Sequence, residues 1–138
     1  MSSTFRRGGI VLLIVPLVAL VACGESRERS LCDQYADFQA AVAPVQQLDP
    51  DTATTDDIRA ISDDVLAELD QLQSAADGQY DLVISNLRAS LTVLREAAVE
   101  LGPNDFDVVR PLLQDDVDDV VADYRLLTQR LDVVCPTD

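Results

Sequence analysis

Apolar residues recur at alternating steps of three and four along most of the chain beyond residue 30, the spacing that places them on one face of an α-helix. The first stripe predicts a helix from about Ser30 to Leu48. Pro44 should kink or split this helix, because proline cannot donate a backbone hydrogen bond, and Asp49 with Pro50 should end it. The apolar positions of this stripe are Leu31, Tyr35, Phe38, Val42 and Val45.

The second stripe predicts a helix with recognisable capping residues at both ends. Thr54 or Thr55 can act as its N-cap. Asp56-Asp57 would then lie in the first turn, where the helix dipole favours anions. Asp77-Gly78 predicts the end, with the glycine in the left-handed conformation. The stripe consists of Ile58, Ile61, Val65, Leu69, Leu72 and Ala76.

The third stripe has the most regular period in the chain, and it predicts a helix that stops at Gly102-Pro103. Its members are Tyr80, Ile84, Leu87, Leu91, Leu94, Ala98 and Leu101.

The fourth helix is predicted to have Pro111 in its first turn, where the missing N–H of proline costs least. Phe106 to Arg110 would form a separate short turn of helix before it. The apolar positions of the fourth stripe are Leu113, Val117, Val120, Tyr124, Leu127, Leu131 and Val134.

These stripes together predict an all-α fold, since no stretch alternates apolar and polar residues with the period of two that a strand requires. Four helices with short connections favour an antiparallel four-helix bundle with up-down-up-down topology. In that topology the start of the first helix and the end of the fourth lie at the same end of the bundle.

The N-terminal residues follow a different pattern. Arg6 and Arg7 precede an apolar run from Ile10 to Ala22, with Pro16 in its middle. As a helix this run would be about 20 Å long, which is short of the hydrocarbon core of about 30 Å. The pattern is therefore typical of a secretory signal peptide. An uncleaved N-terminal anchor is the alternative.

The run ends on Leu20-Val21-Ala22-Cys23, and this tetrapeptide resembles the lipobox of bacterial lipoprotein precursors. The resemblance implies that Ala22 is the residue before the cleavage site and that Cys23 is lipidated and becomes the new N-terminus. It also implies a protein held on the extracytoplasmic face of the cell membrane by its lipid. Residues 1–22 would be the signal peptide, residues 23–30 a lipidated polar tether, and residues 31–138 the helical bundle domain.

The charge of the chain excludes one class of partner. The formal net charge is −15, and removal of residues 1–22 takes away Arg6 and Arg7 and no acidic residue, so the mature chain carries −17. We expect no binding to nucleic acid, which requires clustered positive charge. The chain contains no lysine and is rich in Ala, Val, Asp and Leu. In this composition it resembles proteins of high-GC Gram-positive bacteria.

The cysteines predict one disulfide. With Cys23 assigned to the lipid, Cys32 and Cys135 remain, and an even remainder in an exported protein indicates a pair. They stand at the start of the first helix and the end of the fourth, which the bundle topology brings together. The alternative is two reduced thiols.

Catalytic chemistry has few candidate residues here, and we expect a protein that is not an enzyme. The sequence contains no histidine for general base catalysis and no lysine for Schiff-base formation. It also contains no phosphate-binding or nucleophile-elbow motif. No cofactor is expected.

Two acidic segments and three tyrosines are candidates for ligand binding. Carboxylate oxygens suit hard cations, so a weak metal site is conceivable on the fourth helix at Asp115, Asp116, Asp119 and Asp123. Residues 49–57 form a second oxygen-rich segment. For both segments a solvated surface or ordinary turn and cap chemistry is the simpler interpretation. Tyr35, Tyr80 and Tyr124 would either line one pocket or be core residues with satisfied hydroxyls.

The sequence thus favours a lipid-anchored, non-enzymatic interaction module of the cell envelope, whose partner is the membrane through its anchor and an unidentified envelope protein. The alternative is a helical bundle that binds a small ligand or a divalent cation. A cavity between the helices would favour the alternative, whereas a packed core with an exposed apolar patch would favour a protein partner.

Overall fold

The computed structural model describes residues 22–47, 49 and 51–136. Within these residues the fold is an all-α four-helix bundle, as the sequence predicts. Its elements are α1 (Ala22–Gln47), α2 (Thr55–Ala76), α3 (Asp81–Leu101) and α4 (Phe106–Leu131). Each helix packs along the next one in chain order. The up-down-up-down topology stays a prediction, and residues 1–21 of the predicted signal peptide lie outside the described residues.

Helix α1 begins at Ala22 rather than at Ser30. The residues predicted as a tether therefore continue the helix backbone. Glu25, Arg27 and Arg29 belong to the straight-chain residue types that lose little freedom in a helix, and this favours the longer element. None of the helices that the structure describes is long and apolar enough to cross a membrane.

The predicted cap of α2 is confirmed at Thr54. The Asp57 amide donates to the Thr54 hydroxyl over 3.3 Å, and the Thr54 amide donates to the Asp57 carboxylate over 2.8 Å. This reciprocal pair satisfies two backbone donors that a helix start leaves without partners. At the other end the left-handed C-cap residue is Asp77, with φ of 51°, and Gly78 follows at φ of 84°.

Helix α4 begins at Phe106, so the predicted separate turn before Pro111 is wrong. The Phe106 amide donates to the carbonyl of Ala53 over 2.7 Å, which fixes the start of the helix against the loop before α2. Phe106 and Val109 are both buried. Their burial offsets the hydrogen bond that Pro111 cannot make near the helix start.

The buried side chains form two clusters rather than one continuous core. The disulfide-side core takes residues from all four helices: Leu31, Tyr35, Phe38, Val65, Leu69, Leu72, Ala76, Ile84, Leu87, Leu91, Leu127, Leu131 and Cys135. The loop-side core takes its residues from α2, α3, α4 and the loop before α2: Ala53, Ile58, Leu94, Ala98, Phe106, Val109 and Leu113. No side chain described on α1 belongs to the loop-side core.

The predicted disulfide closes one end of the bundle. Cys32 and Cys135 are bonded, with their Cα atoms 5.3 Å apart and 103 positions apart in sequence. In the chain-entropy model a loop of this size contributes about 4–5 kcal/mol to stability. Close to this bond, the Tyr35 hydroxyl donates to the carboxylate of Asp132 over 2.7 Å, which adds a second link between α1 and the end of α4.

The opposite end of the bundle is held by hydrogen bonds between two loops. The buried Thr55 donates its hydroxyl hydrogen to the Gly102 carbonyl, and its hydroxyl oxygen accepts from the Asn104 amide over 3.1 Å. The Thr55 amide donates to the Asn104 carbonyl over 3.0 Å. These bonds join α2 to the α3–α4 connection, but they do not include α1.

Two leucines test which side chains hold the bundle together. Leu69 is completely buried in the disulfide-side core, whereas Leu82 on α3 is 75% exposed. We expect Leu69→Ala to lower the free energy of unfolding by about 2–5 kcal/mol, because it leaves a cavity. Leu82→Ala should change it by less than about 0.5 kcal/mol. Denaturant titration of both variants measures the difference, and equal effects would contradict this assignment of the core.

Candidate functional site

A cavity of about 300 Å³ lies between the two cores. All four helices contribute to its wall. The lining residues are Phe38, Val42 and Val45 of α1; Ile58, Ile61, Ser62 and Val65 of α2; Leu87, Leu91 and Leu94 of α3; and Phe106, Val117, Val120, Val121 and Tyr124 of α4. Protein interiors are normally packed with few voids larger than a water molecule. A cavity of this size is therefore a clear departure from the packing of an ordinary bundle.

The cavity exists partly because α1 is absent from the loop-side core. Val42 is only partly buried and Val45 is 47% exposed, although both belong to the apolar stripe of the first helix. Pro44 precedes Val45 and cannot donate to the carbonyl of Ala40, which removes one bond from this part of the helix. The last turns of α1 are consequently held less firmly than the rest.

Helix α4 contributes to the cavity through small side chains in the middle of its stripe. Leu113, Leu127 and Leu131 are buried, but Val117 and Val120 between them are only partly buried. A valine fills less space than the leucines at the ends of the same stripe, so volume is left unfilled there. Beyond Leu131 the helix has ended, and Val134 is exposed, contrary to its predicted place in the stripe.

The wall of the cavity is almost wholly apolar. The hydroxyl of Ser62 donates to the Ile58 carbonyl over 2.7 Å, so its proton is already used. The ring of Tyr124 lies 6.0 Å from the ring of Phe38, measured between centroids, and this pair closes the cavity towards the disulfide. An apolar wall of this kind favours a hydrocarbon and penalises a polar group that would lose its hydrogen bonds.

The cavity opens between α1 and α4. Among its lining residues, Val45 on α1 and Val121 on α4 are exposed, at 47% and 36%. The described parts of these two helices do not pack along each other as the sequential helix pairs do. The links described between α1 and α4 or the turn after it include the disulfide, the Tyr35–Asp132 hydrogen bond and the Phe38–Tyr124 ring contact. All three lie on the disulfide side of the opening.

The three tyrosines do not line one pocket. Tyr35 is buried beside the disulfide, and Tyr80 is the left-handed N-cap residue of α3, with φ of 65°. Tyr124 is the one that lines the cavity. Of the two alternatives for the tyrosines, the shared pocket is contradicted, because the three residues occupy different levels of the bundle.

Burial raises the pKa of the Tyr35 phenol far above its ordinary value, and the hydrogen bond to Asp132 and the charge of that carboxylate raise it further. Burial also raises the pKa of Tyr124, with a further contribution from the negative charge of Asp132. Both tyrosines are consequently neutral hydrogen-bond donors at physiological pH.

The acidic residues of α4 do not form a metal site in this structure. Among the described residues, no group of three or more His, Cys, Asp or Glu side chains is arranged to hold a metal ion. Asp115 and Asp119 are exposed, Asp116 is partly buried, and Asp123 accepts a hydrogen bond from the Ser90 hydroxyl on α3. The carboxylate of Asp123 thus already has a partner on α3.

The oxygen-rich segment at residues 49–57 serves turn and cap chemistry. The Asp49 carboxylate accepts from the Asp51 amide over 3.0 Å, and the Asp49 carbonyl accepts from the Ala53 amide over 2.8 Å. Hydrogen bonds from the amide and hydroxyl of Thr54 lower the pKa of Asp57. These contacts account for the carboxylates at both ends of the segment without a ligand.

The predicted lipidation site lies at the edge of the described part of the chain. Ala22 and Cys23 are the first residues of α1, while the side chain of Cys23 and residues Leu20 and Val21 lie outside the described residues. The cavity lining lies more than a dozen residues further along α1, so the two sites are separated by roughly 20 Å or more of helix.

Comparison with protein-family models, with curated proteins and with solved structures finds no match to this chain. The assignment of a site therefore depends on the geometry alone. The cavity was not predicted from the sequence. The signal that indicates it is the use of valine at the end of the α1 stripe and in the middle of the α4 stripe, at Val42, Val45, Val117 and Val120.

The Tyr35–Asp132 pair predicts a loss of stability in alkali. A pKa that is raised in the folded state contributes stability that is complete below the unfolded value of about 10 and is lost as the pH rises beyond it. We expect the free energy of unfolding to fall above pH 10, and to fall less steeply in Tyr35→Phe and Asp132→Asn. Urea titrations from pH 8 to 11 measure the slopes, and identical slopes in all three proteins would contradict the assignment.

Proposed function

We propose that this chain is a lipid-anchored, non-enzymatic binding protein of the cell envelope, and that its helical bundle takes up a small apolar ligand. The observation that carries the ligand-binding part is the apolar cavity between the two cores. Its volume of about 300 Å³ lies at the lower end of the range for ligand sites in proteins.

Packing energetics support a binding role for the cavity. An unfilled volume of this size costs stability, because the wall atoms lose contacts that a filled core would supply. Larger residues at Val117 and Val120 could have filled it within the same helical pattern. Departures from good packing are expected mainly at functional sites. A ligand that fills the cavity would restore the missing contacts.

The lipobox at the N-terminus supports the location. Stable attachment would come from acyl chains on Cys23, since each buried methylene contributes about 0.8 kcal/mol. The helix that follows Cys23 leads directly into the bundle, so the domain would stay close to the membrane surface. The high negative charge of the mature chain would keep it from lying flat on an anionic bilayer.

An envelope protein is the second candidate partner. Val108 and Leu112 stand one turn apart on α4, and both side chains are largely exposed. Exposed apolar residues that adjoin one another favour protein contact when the patch is large. This candidate uses the outer surface of α4, whereas the proposed ligand site uses its inner surface.

Replacement of Cys23 tests the anchor. We expect Cys23→Ser to leave the domain folded but to release it from membranes, because the acyl chains can no longer be attached. Fractionation of cells into membrane and soluble material measures the distribution. If the variant remains fully membrane-bound with its N-terminal segment intact, that segment is an uncleaved anchor and the lipoprotein assignment is wrong.

A cavity-filling substitution tests the ligand site. Val120 packs against both cores, so the indole of Val120→Trp should occupy the cavity. We expect the uncharged two-ring fluorescent probe 1-aminonaphthalene to bind the parent and to bind this variant at least about tenfold more weakly. Loss of the apolar contact made by two methylene groups, at about 0.8 kcal/mol each, is enough for that change in affinity.

The matched control is Val108→Trp, which places the same side chain on the outer surface of α4. It should bind the probe as the parent does. Circular dichroism establishes that both variants are folded. Equal binding by the two tryptophan variants would show that the probe does not enter the cavity and would overturn the proposed site.

A further inference from the structure

The volume of the cavity limits the size of the hydrocarbon that it can hold. A dry apolar cavity of about 150 Å³ accommodates benzene, which has six carbon atoms. The cavity here has about twice that volume. By this comparison it holds roughly ten to twelve carbon atoms, which excludes sterol-sized ring systems and lipids with two chains inside the protein.

The lining residues set the length of the cavity along the bundle. Its contributions from α1, α2 and α3 run from Phe38 to Val45, from Ile58 to Val65 and from Leu87 to Leu94. Each of these spans covers about 10 Å along its helix. A space of this length and volume can hold a single hydrocarbon chain.

The polar end of such a ligand would remain at the opening between α1 and α4. The interior offers no charged partner, because Ser62 and Tyr124 are the polar residues among the lining side chains. A charged or hydrated head group would lose its water there without compensation. The ligand would therefore enter with its hydrocarbon end first.

The charge around the opening disfavours an anionic head group. The segment of α4 that forms one edge, from Pro111 to Tyr124, contains five aspartates and no basic residue, and the facing part of α1 from Ser30 to Gln47 contains no basic residue either. The mature chain carries −17 in addition. Its field repels anions over about one Debye length.

Two arginines flank this segment of α4. Arg110 lies 3.1 Å from the Asp107 carboxylate and 5.4 Å from the ring centroid of Phe106, so its charge is already paired. Arg125 follows Tyr124 and is exposed. Arg125 is therefore the cation that an anionic head group would have to use, and the experiment includes it.

We propose that the ligand is a single-chain amphiphile with roughly ten to twelve carbon atoms in the cavity and an uncharged or cationic head group at the α1–α4 opening. This inference rests on the proposed function. It adds the class of ligand, and its failure can be distinguished from failure of the ligand site itself.

The experiment compares decanol, decyltrimethylammonium and decanoate, each below its micelle-forming concentration, by displacement of the smaller two-ring probe 1-aminonaphthalene from the folded domain. We expect decanol and decyltrimethylammonium to displace the probe, and decanoate to bind about tenfold more weakly at low salt. The difference should shrink in high salt, because the repulsion is screened.

A series of alkanols from hexanol to hexadecanol tests the size of the cavity. Affinity should rise about fourfold for each added carbon until roughly decanol or dodecanol, and then stop rising. A continued rise to hexadecanol would overturn the chain-length part of the inference, because the added carbons would have to be buried elsewhere.

Charge variants test the role of the opening. Asp118→Asn, one turn before Val121 on α4, should strengthen decanoate binding. Glu96→Gln on the exposed face of α3 makes the same change in net charge and should have a smaller effect. Arg125→Gln should leave the affinity for decanol unchanged. Its affinity for decanoate should be no lower than that of the parent.

Each remaining outcome has a defined meaning. Binding of decanoate as tight as that of decanol, lost in Arg125→Gln, would overturn the inference in favour of an anionic ligand while the ligand site stands. Failure of all three decyl compounds to displace the probe or to stabilise the parent against heat would overturn the proposed function together with the inference.

Discussion

Among the described residues, the covalent and hydrogen-bonded links between the first and last helices lie at one end of the bundle. The Cys32–Cys135 bond and the Tyr35–Asp132 hydrogen bond join α1 to α4 at the disulfide end. At the opposite end the hydrogen bonds of Thr55 join α2 to the α3–α4 connection and leave α1 out. The division into two cores and the opening between α1 and α4 both follow from this asymmetry.

The sequence predicted the parts of the fold that depend on local patterns. The stripes of α2 and α3 are buried where their leucines fall, for example at Leu69 and Leu91. Thr54 and Gly102 end or begin elements as their residue types favour. The disulfide was predictable because the two cysteines stand at the start of the first stripe and at the end of the fourth. In each case one residue type at one position carries enough physical information to decide the local structure.

The parts that the sequence did not predict depend on how faces fit together. The spacing of apolar residues identifies the apolar face of α1 or α4. It does not show whether side chains of another helix fill the space in front of that face. Val45 continues a regular stripe and is nevertheless 47% exposed, because it stands at the opening of the cavity. Helix α4 begins earlier than predicted, at Phe106, because the Phe106 amide donates to the carbonyl of Ala53. These two residues are far apart in the sequence. The cavity likewise depends on how residues that are distant in the sequence pack against each other.

The absence of α1 from the loop-side core also sets where the molecule can open without unfolding. Separation of α1 beyond Phe38 would expose few buried side chains, since Ala41 and Val42 are partly buried and Val45 is exposed already. The remaining three helices would keep their own core and their loop hydrogen bonds. Such a sub-global opening costs far less than global unfolding, and amide hydrogens in the second half of α1 should exchange with solvent sooner than those of α2 or α3. The breathing of a single helix end would therefore govern how fast molecules enter and leave the interior.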